Sequence, residues 1–198
     1  KTICREIVNS NKLNSDVRFE QIVEKVIYPY YISNNIAQII EESVMLKEFP
    51  FAYQYLSTKK DQLLKRDKGK TQKYPVWYAY GRTQSLVMPQ YKLFFPKIAN
   101  KALNCIIKCD SELMLYNGIA FVCDELKTLQ ILKRIIESDI FWDYIVKNAK
   151  PYSSGYYSLS GVDIKKFCIP NLSMKEQKHL LSLNKKDDIN KWLHKFYI

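Results

Sequence analysis

Apolar and polar positions fall into runs of different period along the chain. Val26-Ile27-Tyr28-Pro29-Tyr30-Tyr31-Ile32 is rich in aromatic and β-branched residues. It predicts strand up to about Ser33, with Pro29 at an edge or bulge. Ile36, Ile39, Ile40 and Val44 recur at helical spacing and predict a helix from Ile36 to Lys47. A second helix is expected after Phe49-Pro50, because proline suits a first turn. Its apolar positions run through Phe51, Tyr55 and Leu56 to Leu63 and Leu64, and it ends in the basic stretch 65–70.

From Tyr74 the pattern turns to short β runs: Tyr74–Tyr80, Lys92–Pro96, Asn104–Lys108 and Gly118–Cys123. Helical spacing returns at Glu125 and continues through Leu126, Leu129, Leu132 and Ile136. A further helix is expected from Asp139. Tyr152–Tyr157 is a Ser- and Gly-rich loop, and Ile164–Ile169 reads as a short strand. Ser173-x-x-Glu176 is a capping box opening a helix, and Asp187–Phe196 is a last, Trp-bearing helix. This irregular interleaving predicts an α+β fold. The expected form is a curved, mostly antiparallel or mixed sheet with packed helices and a helical C-terminal end. No linker or repeat is visible, so residues 1–198 read as one domain.

Composition sharpens this picture. Hydrophobic residues make up 47% of the 198 positions, enough to bury a core. No apolar run reaches the length of a membrane span, and the start Lys1-Thr2-Ile3-Cys4 has no signal-peptide core. The absent initiator Met suggests a piece of a longer protein. Five Cys at irregular spacing argue against a secreted disulfide framework. A reducing, cytoplasmic setting is expected.

Charge is the informative excess. Lys and Arg number 31 against 20 acids, a formal net charge of +11 that implies an anionic partner. Only Arg5, Arg18, Arg66, Arg82 and Arg134 are arginines, so an Arg in a distinctive setting is worth notice. Surface solvation by a Lys-rich composition is the competing reading.

Several chemistries lose support. Gly69-Lys70-Thr71 ends like a phosphate-binding loop, but Leu64 stands where its first Gly is required. His179 and His194 lie in Lys-rich helices and read as solvated. Cys105 and Cys109, in or beside a strand, would stand about 13 Å apart, so buried free thiols are expected rather than zinc ligands. The nuclease-like pairs Glu125-x-Lys127, Asp163-x-Lys165 and Glu176-x-Lys178 occur about as often as chance predicts.

Positive signals lie in Trp77-Tyr78-Ala79-Tyr80-Gly81-Arg82-Thr83-Gln84-Ser85. Gly81 lets the backbone turn or approach a partner closely. Arg82 can pair with guanine, Gln84 with adenine, and Thr83 with a thymine methyl or a phosphate. Tyr80 and Trp77 would support this loop. Lys68, Lys70 and Lys73 sit in the basic stretch before it, as ready phosphate contacts. Lys92, Lys97, Lys101 and Lys108 lie in a run free of acids from Lys92 through Cys109, a possible phosphate path. Ser153, Ser154 and Tyr156 form a second adaptable loop. A core strand with a polar turn, and a plain surface turn, are the competing readings of the two loops.

These residues resemble a known family. Ile27-Tyr28-Pro29-Tyr30, Phe49-Pro50-x-Ala52-Tyr53-x-Tyr55-Leu56 and Leu63-x-x-Arg66 come first. Then follow Trp77-x-x-Tyr80-Gly81-Arg82-x-Gln84, Lys92-Leu93-x-x-Pro96-Lys97-Ile98 and Asn117-Gly118-x-Ala120-Phe121. The tail continues with Leu129-x-Ile131-Leu132 to Phe141-Trp142, Lys150-Pro151-Tyr152-Ser153-Ser154-Gly155-Tyr156, and Ile164-x-x-Phe167-x-Ile169-Pro170. In this order they are similar to the TaqI-like C-terminal specificity domain of adenine-N6 DNA methyltransferases, over about residues 26–172. The resemblance implies a module that lies along the major groove of double-stranded DNA and reads a short target. A separate catalytic domain, in the same chain or a partner subunit, would bind S-adenosylmethionine and methylate a flipped-out adenine. That domain's Asn/Asp/Ser-Pro-Pro-Tyr/Phe motif has no counterpart here, since the chain has no Pro-Pro pair. No cofactor and no catalytic residue are therefore expected within these 198 residues. A specificity subunit of a multi-subunit restriction system, or a DNA nuclease domain, are the alternatives.

Overall fold

The computed structural model describes residues 2–13 and 17–197. The fold is α+β, and among the described residues it has eight α-helices and four small sheets, none closed into a barrel. The chain forms two compact units. Unit 1 holds residues 2–7, 24–88 and 112–114; unit 2 holds the described residues of 8–23, 89–111 and 115–197. The strands β1 (Cys4–Asn9), β2 (Val23–Ile27) and β8 (Met114–Tyr116) pair in the order β2-β1-β8.

In unit 1, β3 (Tyr30–Ser33) and β4 (Ile36–Ile39) form an antiparallel hairpin with Ser33 opposite Ile36. Asn34 and Asn35 make its two-residue turn with φ of 51° and 59°. Both residues are left-handed, the conformation that lets a two-residue turn follow the strand twist. The expected helix from Ile36 is thus corrected to a strand, followed by α1 (Glu42–Glu48). Phe49, which precedes a proline, is steered away from helical backbone; its φ of −133° separates α1 from α2 (Pro50–Ser57). Pro50 opens α2 as expected, and α3 (Lys60–Leu64) completes the helical run. Tyr28, Tyr30, Leu86 and Met114 form one buried cluster, and Ile40, Met45 and Tyr78 another.

In unit 2, β5 (Tyr91–Phe95) is the central strand between β7 (Ile106–Cys109) and β9 (Ile119–Cys123), all antiparallel. Leu93 and Phe95 face a core made with α4 (Leu126–Ile136) and α5 (Asp139–Asn148), through Leu129, Ile136, Phe141 and Ile145. Ser138 caps α5, its hydroxyl accepting the Phe141 N–H at 3.3 Å. A second sheet joins β10 (Lys150–Pro151), β11 (Tyr157–Ser158) and β6 (Ile98–Ala99). The expected strand at Ile164–Ile169 is instead α6 (Gly161–Lys166), whose N-terminus is capped by Ser160 accepting from the Asp163 N–H. The capping box forms as expected, opening α7 (Met174–Ser182). Leu180 then packs with Ile135, and with Ile189 and Leu193 of α8 (Lys186–Leu193). Among the described residues no helix is long and apolar enough to cross a membrane.

Candidate nucleic-acid interface

The sequence-predicted contacts fall into two groups, one in each unit. In unit 1 the expected strand Tyr74–Tyr80 is absent; the segment is a series of bends and turns. Its shape follows from Arg66. The Arg66 Nε donates to Leu63 O (2.8 Å), Nη1 to Ala79 O (3.0 Å) and Nη2 to Trp77 O (2.8 Å). One guanidinium therefore ties α3 to the Trp77–Ala79 backbone, and those carbonyls are engaged away from any sheet ladder.

The aromatic side chains of this segment are held by fixed acceptors elsewhere in unit 1. Trp77 Nε1 donates to the Glu42 carboxylate at 2.8 Å, which also accepts from the Tyr53 hydroxyl at 2.7 Å. These hydrogen bonds hold the Glu42 carboxyl below its ordinary range. Tyr78 donates to Ile40 O and Tyr80 to Ile27 O, at 2.6 and 2.5 Å. Burial pushes the Tyr78 phenol up to about 12 and that of Tyr80 further up. Tyr80 also packs edge-on against Tyr28 and Tyr30. The polar ends of Trp77 and Tyr80 thus anchor the segment that precedes Gly81.

Beyond this braced segment Arg82, Thr83 and Gln84 are consecutive and exposed. The basic stretch lies beside them. Asp67, Lys68 and Gly69 are three successive left-handed residues, with φ of 49°, 60° and 79°. The Tyr74 hydroxyl donates to the Asp67 carboxylate. A Cβ on Gly81 would stand 2.7 Å from that hydroxyl, so glycine permits a close approach within the chain itself. This approach sets the exposed Lys68, Lys70 and Lys73 stretch next to the start of the Arg82 loop.

In unit 2, Lys97 and the second loop share a sheet. The Leu159 N–H donates to Lys97 O at 2.8 Å, and Ser158 and Tyr157 pair with Ile98 and Ala99. Tyr157 and Ser158 also pair with Pro151 and Lys150. The loop is the tip of this hairpin, with Ser154 and Gly155 left-handed at φ of 60° and 75°. Ser153, Ser154, Tyr156 and Lys97 are all exposed.

The acid-free lysine run does not form a continuous path. Lys92 is fully buried, and its ammonium donates to Pro89 O (2.8 Å) and Asp110 O. Burial lowers its pKa. Because β5 is covered on both faces, a lysine there needs internal acceptors. Lys108 pairs with Glu20 at 3.4 Å and lies over the Phe19 ring. Lys97 and Lys101 are exposed. The thiol expectation is corrected as well, because Cys105 is buried but Cys4, Cys109 and Cys168 are exposed.

The acids of the nuclease-like pairs serve local structure. Glu125 accepts from Thr128, Asp163 from Ser160, and Glu176 from Ser173. Among the described residues no group of three or more His, Cys, Asp and Glu is placed to hold a metal ion. Two organising groups, the Arg66 clamp and the Glu42 acceptor, have no sequence signal of their own. Arg66 stands out only as one of five arginines and within Leu63-x-x-Arg66. No protein-family model matches the chain, and no curated protein matches it either.

Proposed function

We propose that the chain is a DNA target-recognition module that positions a separate, S-adenosylmethionine-dependent adenine-N6 methyltransferase domain on its target. The observation that carries this reading is the Arg66 clamp. It holds the Trp77–Ala79 backbone and leaves Arg82, Thr83 and Gln84 exposed beside Lys68, Lys70 and Lys73. Base readout requires side chains held in a defined place next to phosphate contacts that set the register. In this reading Arg82, Thr83 and Gln84 meet base edges or the groove, and the three lysines hold phosphates. Lys97, Ser153, Ser154 and Tyr156 supply further DNA contacts from unit 2. The order of matching motifs and the net charge of +11 support the same reading.

The test is equilibrium binding to a duplex selected by the protein from a random pool. Arg82→Ala costs roughly 1–3 kcal/mol on that duplex and much less on unrelated DNA. Equal costs on both duplexes would reduce Arg82 to a phosphate ligand, and no detectable duplex binding at low salt would overturn the reading.

A further inference from the structure

Unit 2 contains an open cavity of about 340 Å³; Tyr156, one of its lining residues, is also a proposed duplex contact, and the rest of its polar lining is not. Its apolar floor includes the buried Ala99 and Leu103. Its polar lining is Asn100, Lys101, Asn104 and Tyr156. Among the described residues, these four side chains make no hydrogen bond or ion pair and no acidic residue lines the cavity. The walls are nevertheless fixed. Ile98–Ala99 is paired to β11 on one side. On the other, the Cys105 N–H donates to Glu137 at the α4 C-terminus, and Lys133 donates to Cys105 O.

A cavity of this size is at the small end of those that hold organic ligands. The chemistry of its lining is specific. Two carboxamides offer paired donors and acceptors, the pattern that matches the N6/N7 edge of adenine. A tyrosine at the rim offers a face for stacking on a flat heterocycle. Lys101 brings a positive charge, with no acid among the described lining residues, and is suited to a phosphate.

We propose that this cavity binds a nucleotide whose base is unpaired, with adenine preferred. Asn100 and Asn104 meet the base edge, Tyr156 stacks on its face, and Lys101 holds the phosphate. The site lies within unit 2, so it does not depend on the reading of the Arg82 loop. A free nucleotide and an unpaired nucleotide within a DNA strand present the same groups.

The experiment is calorimetric titration of the full chain with adenosine monophosphate, cytidine monophosphate, adenosine and inorganic phosphate. Adenosine monophosphate binds saturably, about fivefold or more tighter than cytidine monophosphate, and tighter than adenosine or phosphate. Tyr156→Ala and Asn104→Ala each weaken it about tenfold. Lys101→Ala brings it to the affinity of adenosine, which itself is unchanged. Circular dichroism checks the fold of each variant, and Asn100→Ala replaces Asn104→Ala should the latter be misfolded. A duplex with one bulged adenine is compared with its fully paired form. Preference for the bulge, abolished in Asn104→Ala, assigns the site to a DNA strand; no preference assigns it to free nucleotide. Asn104→Ala leaves binding to the paired duplex intact, so failure of this site and failure of duplex recognition read separately. Phosphate binding as tightly as adenosine monophosphate, no saturable nucleotide binding, or variants that bind like the parent chain would each overturn the proposal.

Discussion

Arg66 commits all three guanidinium nitrogens to backbone oxygens, at Leu63, Ala79 and Trp77. Lysine cannot reproduce that fork, because its ammonium is a single point on a flexible stem. Arg66→Lys is expected to lower stability by about 2 kcal/mol, seen as a reduced urea midpoint at an unchanged slope. If Arg82 reads bases, the same variant weakens duplex binding although Arg66 itself is turned to the backbone. The sequence marks Arg66 as one of few arginines, but its partners are main-chain carbonyls, which carry no residue-type signal. Lys92 shows the opposite limit. Its place in an acid-free lysine run suggests solvent and phosphate, whereas β5 is covered on both faces and the amine is buried. Sequence alternation cannot report how many faces of a strand are covered.

At the scale of elements, capping chemistry is the most legible signal. Ser173-x-x-Glu176 predicts the start of α7, and the box is present. Ser160 also caps α6, its hydroxyl accepting the Asp163 N–H without the reciprocal half of a capping box, yet the β-branched and aromatic residues after it suggest a strand. The hairpin is hidden because Ile36, Ile39 and Ile40 fit helical spacing as well as a strand in a short window. The deciding feature is Asn34-Asn35, the residues most able to adopt left-handed backbone short of glycine. Asn35→Val places a β-branched residue at a φ of 59°. It is expected to cost about 1–2 kcal/mol, read as a lower thermal midpoint, whereas Asn35→Gly is expected to be neutral or stabilising.

For the molecule as a whole, the fold class is legible in the sequence and the division into two units is not. Each unit is assembled from three separated stretches of chain, so no linker composition marks a boundary. The net charge of +11 makes the proposed DNA binding strongly salt-dependent. Replacing Lys68, Lys70 and Lys73 by alanine should flatten the plot of log affinity against log salt by about 0.9 for each phosphate no longer neutralised. Stability has its own pH dependence. Tyr28, Tyr30, Tyr78 and Tyr80 are raised above the ordinary phenol value of 10.0, chiefly by burial. Their neutral forms therefore contribute stability that is fully present below that value and is lost as pH rises through the folded values. Thermal midpoints are expected to fall steeply above about pH 10, and less steeply in Tyr78→Phe. The enclosed amine of Lys92 has a consequence of another kind. Acylating reagents modify the many exposed lysines of the native chain but cannot reach an amine sealed between Pro89 and Asp110. Its acylation, followed by mass spectrometry, is a built-in clock for the opening of unit 2.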